Sequence, residues 1–401
     1  DIASDNSLCG GESATDVVGL QKIDDMIHDP VNDQLTSTWK WMYEGINRAN
    51  YLVENKDKVD FTRKAELYGE VHFLRAYYYF ELVKLFGGVP LFTESRLAAE
   101  DSATLTRASA SEVYAQIEAD LQAAIAALPA AKSLNGRATA FTAHALLGKA
   151  YLYQNKFDEA ASILEPLVGL YSLPSDFQSI FLNSGENGSG SVFEVQHSKN
   201  SNWFDWGFPQ GSEGSFAIIH HGPRGYNGGT YSSGWSFNVP TQNLYDAYGA
   251  EDSRRDVAIL DIAAWANSTG AEYTEGYEHT GYFNHKYIPR SGSTAAQGEL
   301  NYENNFRAIR YADVLLMAAE ANNRKTSADD AKALNYLNQV RARAFGDDSK
   351  ASSSTGTALT SEIWEERRLE LAMEGHRFFD LVRTGEAATK ISGFVAGKHE
   401  V

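Results

Sequence analysis

Apolar residues recur with a helical period through the first part of the chain. Val71, Leu74, Tyr78, Leu82 and Leu85 fall at i, i+3, i+7, i+11 and i+14, one face of a helix that Gly87-Gly88 and Pro90 end. Before it, Trp39, Met42, Tyr43, Ile46, Ala49, Asn50 and Val53 share a second face, and the polar link Lys56 to Thr62 makes the two helices antiparallel neighbours. Ser111 to Leu128 and Thr139 to Gln154 predict another pair, with Pro129 closing its first member. Helical spacing runs from about Trp39 to Tyr171, lapses, and returns from about Phe306 to Ile391. The pattern therefore predicts one domain over 1–401 in three parts: a helical part at 1–182, an irregular insert at 183–305 and a helical part at 306–401.

The helices carry a repeat. Leu147-Gly148, Tyr151, Ala160 and Leu164 match the small and large positions of a tetratricopeptide unit. Leu74, Tyr78 and Gly87 echo that spacing in part, as do Leu316 and Glu320. Small residues let paired helices approach, and large ones fill the space between them. The expected fold is mainly α: a tetratricopeptide-like helix-pair superhelix with a loop-rich, aromatic insert that contains short β-strands.

In the insert, 20 aromatic residues lie between Phe193 and Phe306 among Gly, Ser and Asn, including four of the seven tryptophans. Short strands are expected at Ser191–Gln196 and Gly281–Ile288. A structureless loop of this length does not suit a compact domain, so a folded insert that carries function is expected.

Charge narrows the classes of partner. The net charge of −18 opposes nucleic acid and an anionic lipid surface, both of which call for a basic face. One cysteine excludes an intrachain disulfide and a Cys-based zinc cluster. No stretch has the roughly 18 apolar residues of a spanning helix. The first residues lack the basic and apolar regions of an intact signal peptide, and Leu8-Cys9 lacks the apolar run expected before a lipidated cysteine, which suggests a trimmed start.

Candidate chemistry is sparse. Arg367/Glu370, Glu374/Arg377, Arg377/Asp380 and Asp380/Arg383 are opposite charges at i, i+3 along a last long helix, with Trp364, Leu371 and Phe378 on its buried face. They read as an ion-pair network that orients the helix, not as catalytic carboxylates. His220-His221, His279 and His285 lack metal-ligand spacing, so no metal site is expected; Asp, Asn and carbonyl groups could hold calcium, but no EF-hand loop indicates it. Glycoside hydrolysis needs two carboxylates across a cleft, and Asp205, Glu213, Asp246, Glu251, Asp252, Glu272 and Glu275 are no more than chance would supply. No phosphate loop or nucleophile elbow is present. No catalytic residue and no cofactor are assigned.

The aromatic, Gly and Asn mixture points to sugar. Flat rings stack on the apolar faces of hexoses by burial and dispersion, polar side chains satisfy the hydroxyls, and glycines permit close approach. The expected stackers are Trp235, Trp203, Trp206, Tyr231 and Tyr226. Arg224, Asn227 and Asn202 are the expected hydrogen-bonding residues, with Asp33 in the loop before the first helix. A glycan-cleaving enzyme and a tetratricopeptide scaffold for a peptide or protein partner are the alternatives.

Taken together, Ser4-Asp5, WKWMYEGINRAN (39–50), GEVHFLRAYYYFELVKLFGGVPL (69–91), VPTQNLYDAYGAEDSRR (239–255), IRYADVLLMAAE (309–320) and EIWEERRLELAMEGHRFFDLVR (362–383) resemble the SusD/RagB family of Bacteroidetes outer-membrane nutrient-binding lipoproteins. The resemblance implies a tetratricopeptide-like scaffold with an irregular insert before its last repeat. It also implies a lipid-anchored protein of the cell surface that captures an oligosaccharide or polysaccharide and passes it to a SusC-like TonB-dependent transporter. In some members the cargo is peptide. The family's lipidated cysteine and first helix, and its Pro-containing C-terminal segment, have no counterpart here, so membrane attachment would come only through an N-terminal anchor missing from this chain.

Overall fold

The computed structural model describes residues 1–98, 100–101, 104–132, 134–200, 213–294 and 300–398. In chain order the elements are β1 (Ser7–Gly10), α1 (Val18–Asp24), α2 (Asp33–Glu54), α3 (Lys64–Phe86), α4 (Ala110–Ala127), α5 (Ala140–Tyr153), α6 (Phe157–Leu164), β2 (Ser191–Val195), β3 (Arg224–Asn227), β4 (Phe237–Pro240), α7 (Gln242–Ala247), α8 (Arg254–Ala258), β5 (Ile259–Asp261), α9 (Ile262–Thr269), β6 (Glu272–Thr274), β7 (Tyr282–Asn284), β8 (Phe306–Arg310), α10 (Tyr311–Arg324), α11 (Asp330–Phe345), α12 (Gly356–Glu370), α13 (Arg377–Thr384) and α14 (Ala387–Lys398). They form two compact units. The larger comprises Asp1–Asp29, Ser172–Leu316 and Leu334–Val401; the smaller comprises Pro30–Tyr171 and Met317–Ala333. The N-terminal residues and the last helices thus belong to the same unit as the insert.

In the smaller unit α2 to α6 pack each on the next. Side chains set their starts: Asn32 accepts from the Gln34 and Leu35 amides before α2, and Ser109 and Thr139 close capping boxes before α4 and α5. Glycines set the spacing. A β-carbon on Gly148 would run into Leu164, and one on Gly45 into the Tyr78 ring, so bulk at either position would push the paired helices apart. Helix α3 departs from the expected single stripe. Leu74 is 40% exposed, whereas Phe73, Arg75, Ala76, Tyr79, Phe80 and Val83 are buried with Val71 and Leu82. The helix lies between α2 and α4, so more than one side is covered. Arg75 is buried there, donating to both Asp120 carboxylate oxygens (2.8 and 2.7 Å), to the Asn50 side chain and to the Thr93 carbonyl.

Among its described residues the larger unit contains four antiparallel two-stranded pairs, β1–β4, β2–β8, β3–β6 and β5–β7. The strand expected at Ser191–Gln196 is β2, and that expected at Gly281–Ile288 is the shorter β7. Such pairs are marginal alone. They lean on aromatic cores, one of Phe177, Phe181, Ile218, Ile219, Tyr287, Leu300 and Tyr302, another of Tyr226, Tyr231, Val239, Leu260, Ile262, Phe283 and Ile288.

The expected last long helix is two helices. Residues 371–376 break it, with Met373 (φ 64°) and Gly375 (φ 83°) in left-handed conformations. Asp380–Arg383 forms at 2.7 Å as expected. Arg367, Glu370, Glu374 and Arg377 instead make their short contacts to other elements. Glu370, 0% exposed, receives Arg343 (2.6 Å), Arg310 (3.0 Å) and Arg254 (3.0 Å). Glu374 receives Arg310 (2.7 Å) and Lys286 (2.6 Å); Arg254 also holds Glu366 and Asp252. Arg367 pairs with Asp313 at 2.7 Å, and Arg377 clamps both oxygens of Asp5 at 2.7 and 2.8 Å. The network is thus buried and tertiary. The Phe177 ring takes the Arg343 and Arg310 guanidiniums and the Lys286 ammonium over its face.

Burial alone would raise the Glu370 carboxyl, but Arg343, Arg310, Arg254 and Lys286 hold it well below the usual carboxylate range. The buried Asp5 and Asp120 and the half-buried Asp380 are likewise lowered by their arginines. Lys286 goes the other way: burial lowers it to about 8 against the pull of Glu374.

Glu370→Gln should lower unfolding stability by about 3–5 kcal/mol, because it leaves buried cations uncompensated. Urea unfolding measures it, and a loss under about 1 kcal/mol would mean that the cluster is not held by its charges. A carboxyl lowered by folding adds stability above its unfolded pKa and loses it as pH falls. The urea midpoint should therefore drop steadily below about pH 4.5, the ordinary glutamate value. A flat midpoint down to pH 3 would contradict these assignments.

Candidate functional site

The most promising of the sequence-predicted residues, Trp235, sits where two stretches of the larger unit run side by side. The Gly234 amide donates to the Pro223 carbonyl, Trp235 to Ile219 and Ser236 to Gly222, each at 2.8 Å, and the Arg224 amide donates to Ser236 Oγ at 3.0 Å. Two glycines make this approach possible, since a β-carbon on Gly234 would lie 2.5 Å from the Gly222 Cα. The half-buried Trp235 ring is held by edges. Phe216 meets it at 5.5 Å and His220 at 5.1 Å, both at 73°. Burial keeps His220 below the ordinary histidine range and, with the neighbouring His220, takes His221 to about 3, so both are neutral at pH 7.

An N-terminal loop closes on this stretch. The Gly11 amide donates to the Ser236 carbonyl (2.8 Å), the Tyr277 amide to the Gly11 carbonyl (2.9 Å) and the Gly10 amide to a Glu278 carboxylate oxygen (3.2 Å). Asp16 accepts from the Glu12 amide and pairs with the Arg224 guanidinium at 2.7 Å, and Glu12 stands 3.6 Å from the same guanidinium. Val17, Ser236, Asn238 and Glu278 all have positive φ here. For β-branched Val17 that is a strained conformation, of the kind that collects at functional sites.

The other expected residues divide. Arg224 joins Trp235 at this face. Asn227 is exposed at the end of β3, with its amide 3.4 Å from Glu272. Tyr226 and Tyr231, expected as surface stackers, are core residues, 8% and 3% exposed. Trp265 Nε1 donates to the Tyr226 hydroxyl at 3.0 Å, and the Tyr231 hydroxyl meets His285 Nε2 at 2.8 Å. In β3 the alternation of strand faces turns Tyr226 inward between the exposed Gly225 and Asn227. Asp33 is exposed in the first turn of α2 in the smaller unit, where a carboxylate favours the helix terminus. Trp203, Trp206 and Asn202, with Asp205, lie outside the described residues. Glu12, Asp16, His220 and the exposed Tyr277 were not assigned to the site from sequence; Gly10-Gly11 and Gly276, which let the loops meet, were its one local signal. Of the acids considered for hydrolysis, Asp252 is engaged by Arg254 and Glu251 by Lys350. Among the described residues, no three His, Cys, Asp or Glu side chains gather so as to hold a metal ion. No described helix is long and apolar enough to cross a membrane.

Helix pairs spaced by small residues, in a chain that also has a glycine-rich aromatic unit, define a tetratricopeptide-like helical fold with an irregular insert. Two family models match the chain, "Starch-binding associating with outer membrane" over residues 3–152 and "SusD family" over 261–400. A solved laminarin binding SusD-like protein is 38% identical, with a TM-score of 0.88 over 98% of this chain and 87% of its own. Surface glycan-binding protein A from Bacteroides thetaiotaomicron, solved in complex with laminarihexaose, is 28% identical, with a TM-score of 0.86 over 97% of this chain and 84% of its own. SusD-like protein P2 of Formosa agariphila is 29% identical over 370 residues, 88% of this chain and 72% of the relative. The chain belongs to the SusD family.

Tyr231→Ala should cost about 3–5 kcal/mol of stability, as removal of a buried aromatic ring does. Asn227→Ala should stay within about 0.5 kcal/mol. Urea unfolding of the two variants checks the assignment, and an unchanged Tyr231→Ala would return that ring to the surface.

Proposed function

We propose that this protein captures a neutral glucan of the laminarin type at the outer surface of the cell. It delivers the glucan to a SusC-like TonB-dependent transporter of the outer membrane, and it is held there by an N-terminal lipid anchor. It binds without cleaving. The observation that carries this reading is the match, over nearly the whole chain, to a solved SusD-like protein named for laminarin binding.

In this reading the Trp235 ring is the platform. Its contacts with Phe216 and His220 hold the ring in place, so little ring freedom is lost when a sugar stacks on it. Trp203 and Trp206 add further rings. Arg224 is aimed by Asp16 and donates to hydroxyls, a role that Asn227 and Asn202 share. A neutral His220 adds no charge at the platform that an uncharged sugar would have to desolvate. A few stacking contacts against hydrated hydroxyls give an affinity of mM to μM, about −4 to −8 kcal/mol.

Titration calorimetry with laminarihexaose tests this. Trp235→Ala should weaken binding about tenfold or more, in line with roughly 1.5 kcal/mol for an aromatic contact. Binding should change little with salt, since no phosphate-like charge is neutralised, and no new reducing ends should form. Unchanged affinity in the variant would remove Trp235 from the site, and release of reducing ends would replace capture by hydrolysis.

A further inference from the structure

The smaller unit carries a second feature of the same chemical kind. Along α2, Trp39, Tyr43, Asn47 and Tyr51 recur every fourth residue, a stripe about 18 Å long at 1.5 Å per residue. They line an open groove of about 860 Å³ together with Lys40, Glu44, Arg48, Leu52 and Arg96.

The groove is held in shape. The segment after α3 is fixed along α2 by a ladder of side chains. The Tyr43 hydroxyl donates to the Pro90 carbonyl (2.7 Å), and Asn50 Nδ2 donates to the Phe92 and Ser95 carbonyls (3.0 and 3.2 Å). Asn47 accepts from the Leu97 amide (3.1 Å), and Glu54 accepts from the Arg96 amide and guanidinium (3.1 and 2.9 Å). This ladder brings the Arg96 guanidinium to 4.4 Å from the centre of the Tyr51 ring, while Tyr51 stays 48% exposed. Trp39 rests edge-on against Phe86 at 5.1 Å, and Tyr43 stacks on Phe92 at 5.6 Å and 15°. The rings are thus backed from within the unit.

The charges of the lining are mostly paired. Arg48 meets Glu44, and Arg96 meets Glu54, which leaves Lys40 as the one lining charge without a partner in either pair. Flat rings spaced along a groove, with guanidinium and amide groups between them and little net charge, fit the apolar faces and hydroxyl rim of an uncharged sugar chain.

We infer that this α2 groove is a second glycan-binding site, distinct from the Trp235 face and taking the same class of neutral oligosaccharide, with Tyr51 as its principal stacking ring. The inference rests on the proposed glycan-capture function.

Titration calorimetry of the full chain with laminarihexaose, on wild type, Tyr51→Ala, Arg96→Ala and Trp235→Ala, separates the possibilities. Tyr51 and Arg96 are surface residues, and circular dichroism verifies that their variants are folded. The expected result is two hexaoses per chain in wild type and one in both Tyr51→Ala and Trp235→Ala, with Arg96→Ala weakening the groove site alone. One hexaose in wild type, lost in Trp235→Ala and retained in Tyr51→Ala, overturns the second site and leaves the proposed function standing. One hexaose lost in Tyr51→Ala and retained in Trp235→Ala upholds the groove as a glycan site and overturns the Trp235 assignment. A wild-type chain that takes no hexaose overturns both.

Discussion

The larger unit is organised around a carboxylate with no solvent near it. Burying Glu370 as an ion costs several kcal/mol before any partner is supplied. Arg254, Arg310 and Arg343 converge on it from α8, β8 and α11, and Lys286 donates to its backbone carbonyl and to Glu374. None of these cations can leave without stranding charge inside the protein. The short strand pairs around them contribute little rigidity alone, so the cluster supplies the fixed centre that a long sheet would supply elsewhere. Arg377 carries the constraint outward. Its clamp on Asp5 secures the N-terminal segment, which runs into β1, and β1 pairs with β4 directly after Trp235. The Trp235 ring is thereby connected to the charged centre through two short strands.

Close to that ring the structure concentrates strain instead of charge. The left-handed Val17, Ser236 and Asn238 are costly local conformations beside the close approach of Gly222 and Gly234. They persist because hydrogen bonds from Gly11, Tyr277 and Arg224 fix each segment to another. What they achieve is placement: one half-buried indole, held by T-shaped ring contacts, on the same stretch as a guanidinium paired with Asp16. The smaller unit uses ordinary α-helical geometry and a side-chain ladder to hold the α2 rings in place.

The helices of the smaller unit were legible because apolar period, caps and stop signals all agree over long runs, as in α4 between its capping box at Ser109 and Pro129. The family was legible from motifs spread along the chain. The ion network was legible in kind but not in partners: spacing suggested Arg367 with Glu370, whereas Arg310 and Arg254 come from 60 and 116 residues away. The break at Met373 was hidden because Leu371, Ala372 and Met373 continue the apolar pattern of a helix. Tyr226 and Tyr231 were misread as exposed because β3 is too short for its alternation to stand out among glycines, and its partner β6 lies beyond two strands and three helices in the chain. The N-terminal half of the site, Glu12 and Asp16, depends on contacts more than 200 residues apart, which no local pattern carries.

The most direct measurement is a crystal structure of the chain grown with laminarihexaose. The account predicts a glucose ring lying flat on Trp235, with an Arg224 nitrogen within hydrogen-bond reach of a hydroxyl. An oligosaccharide bound in the crystal with the Trp235 face bare would contradict it.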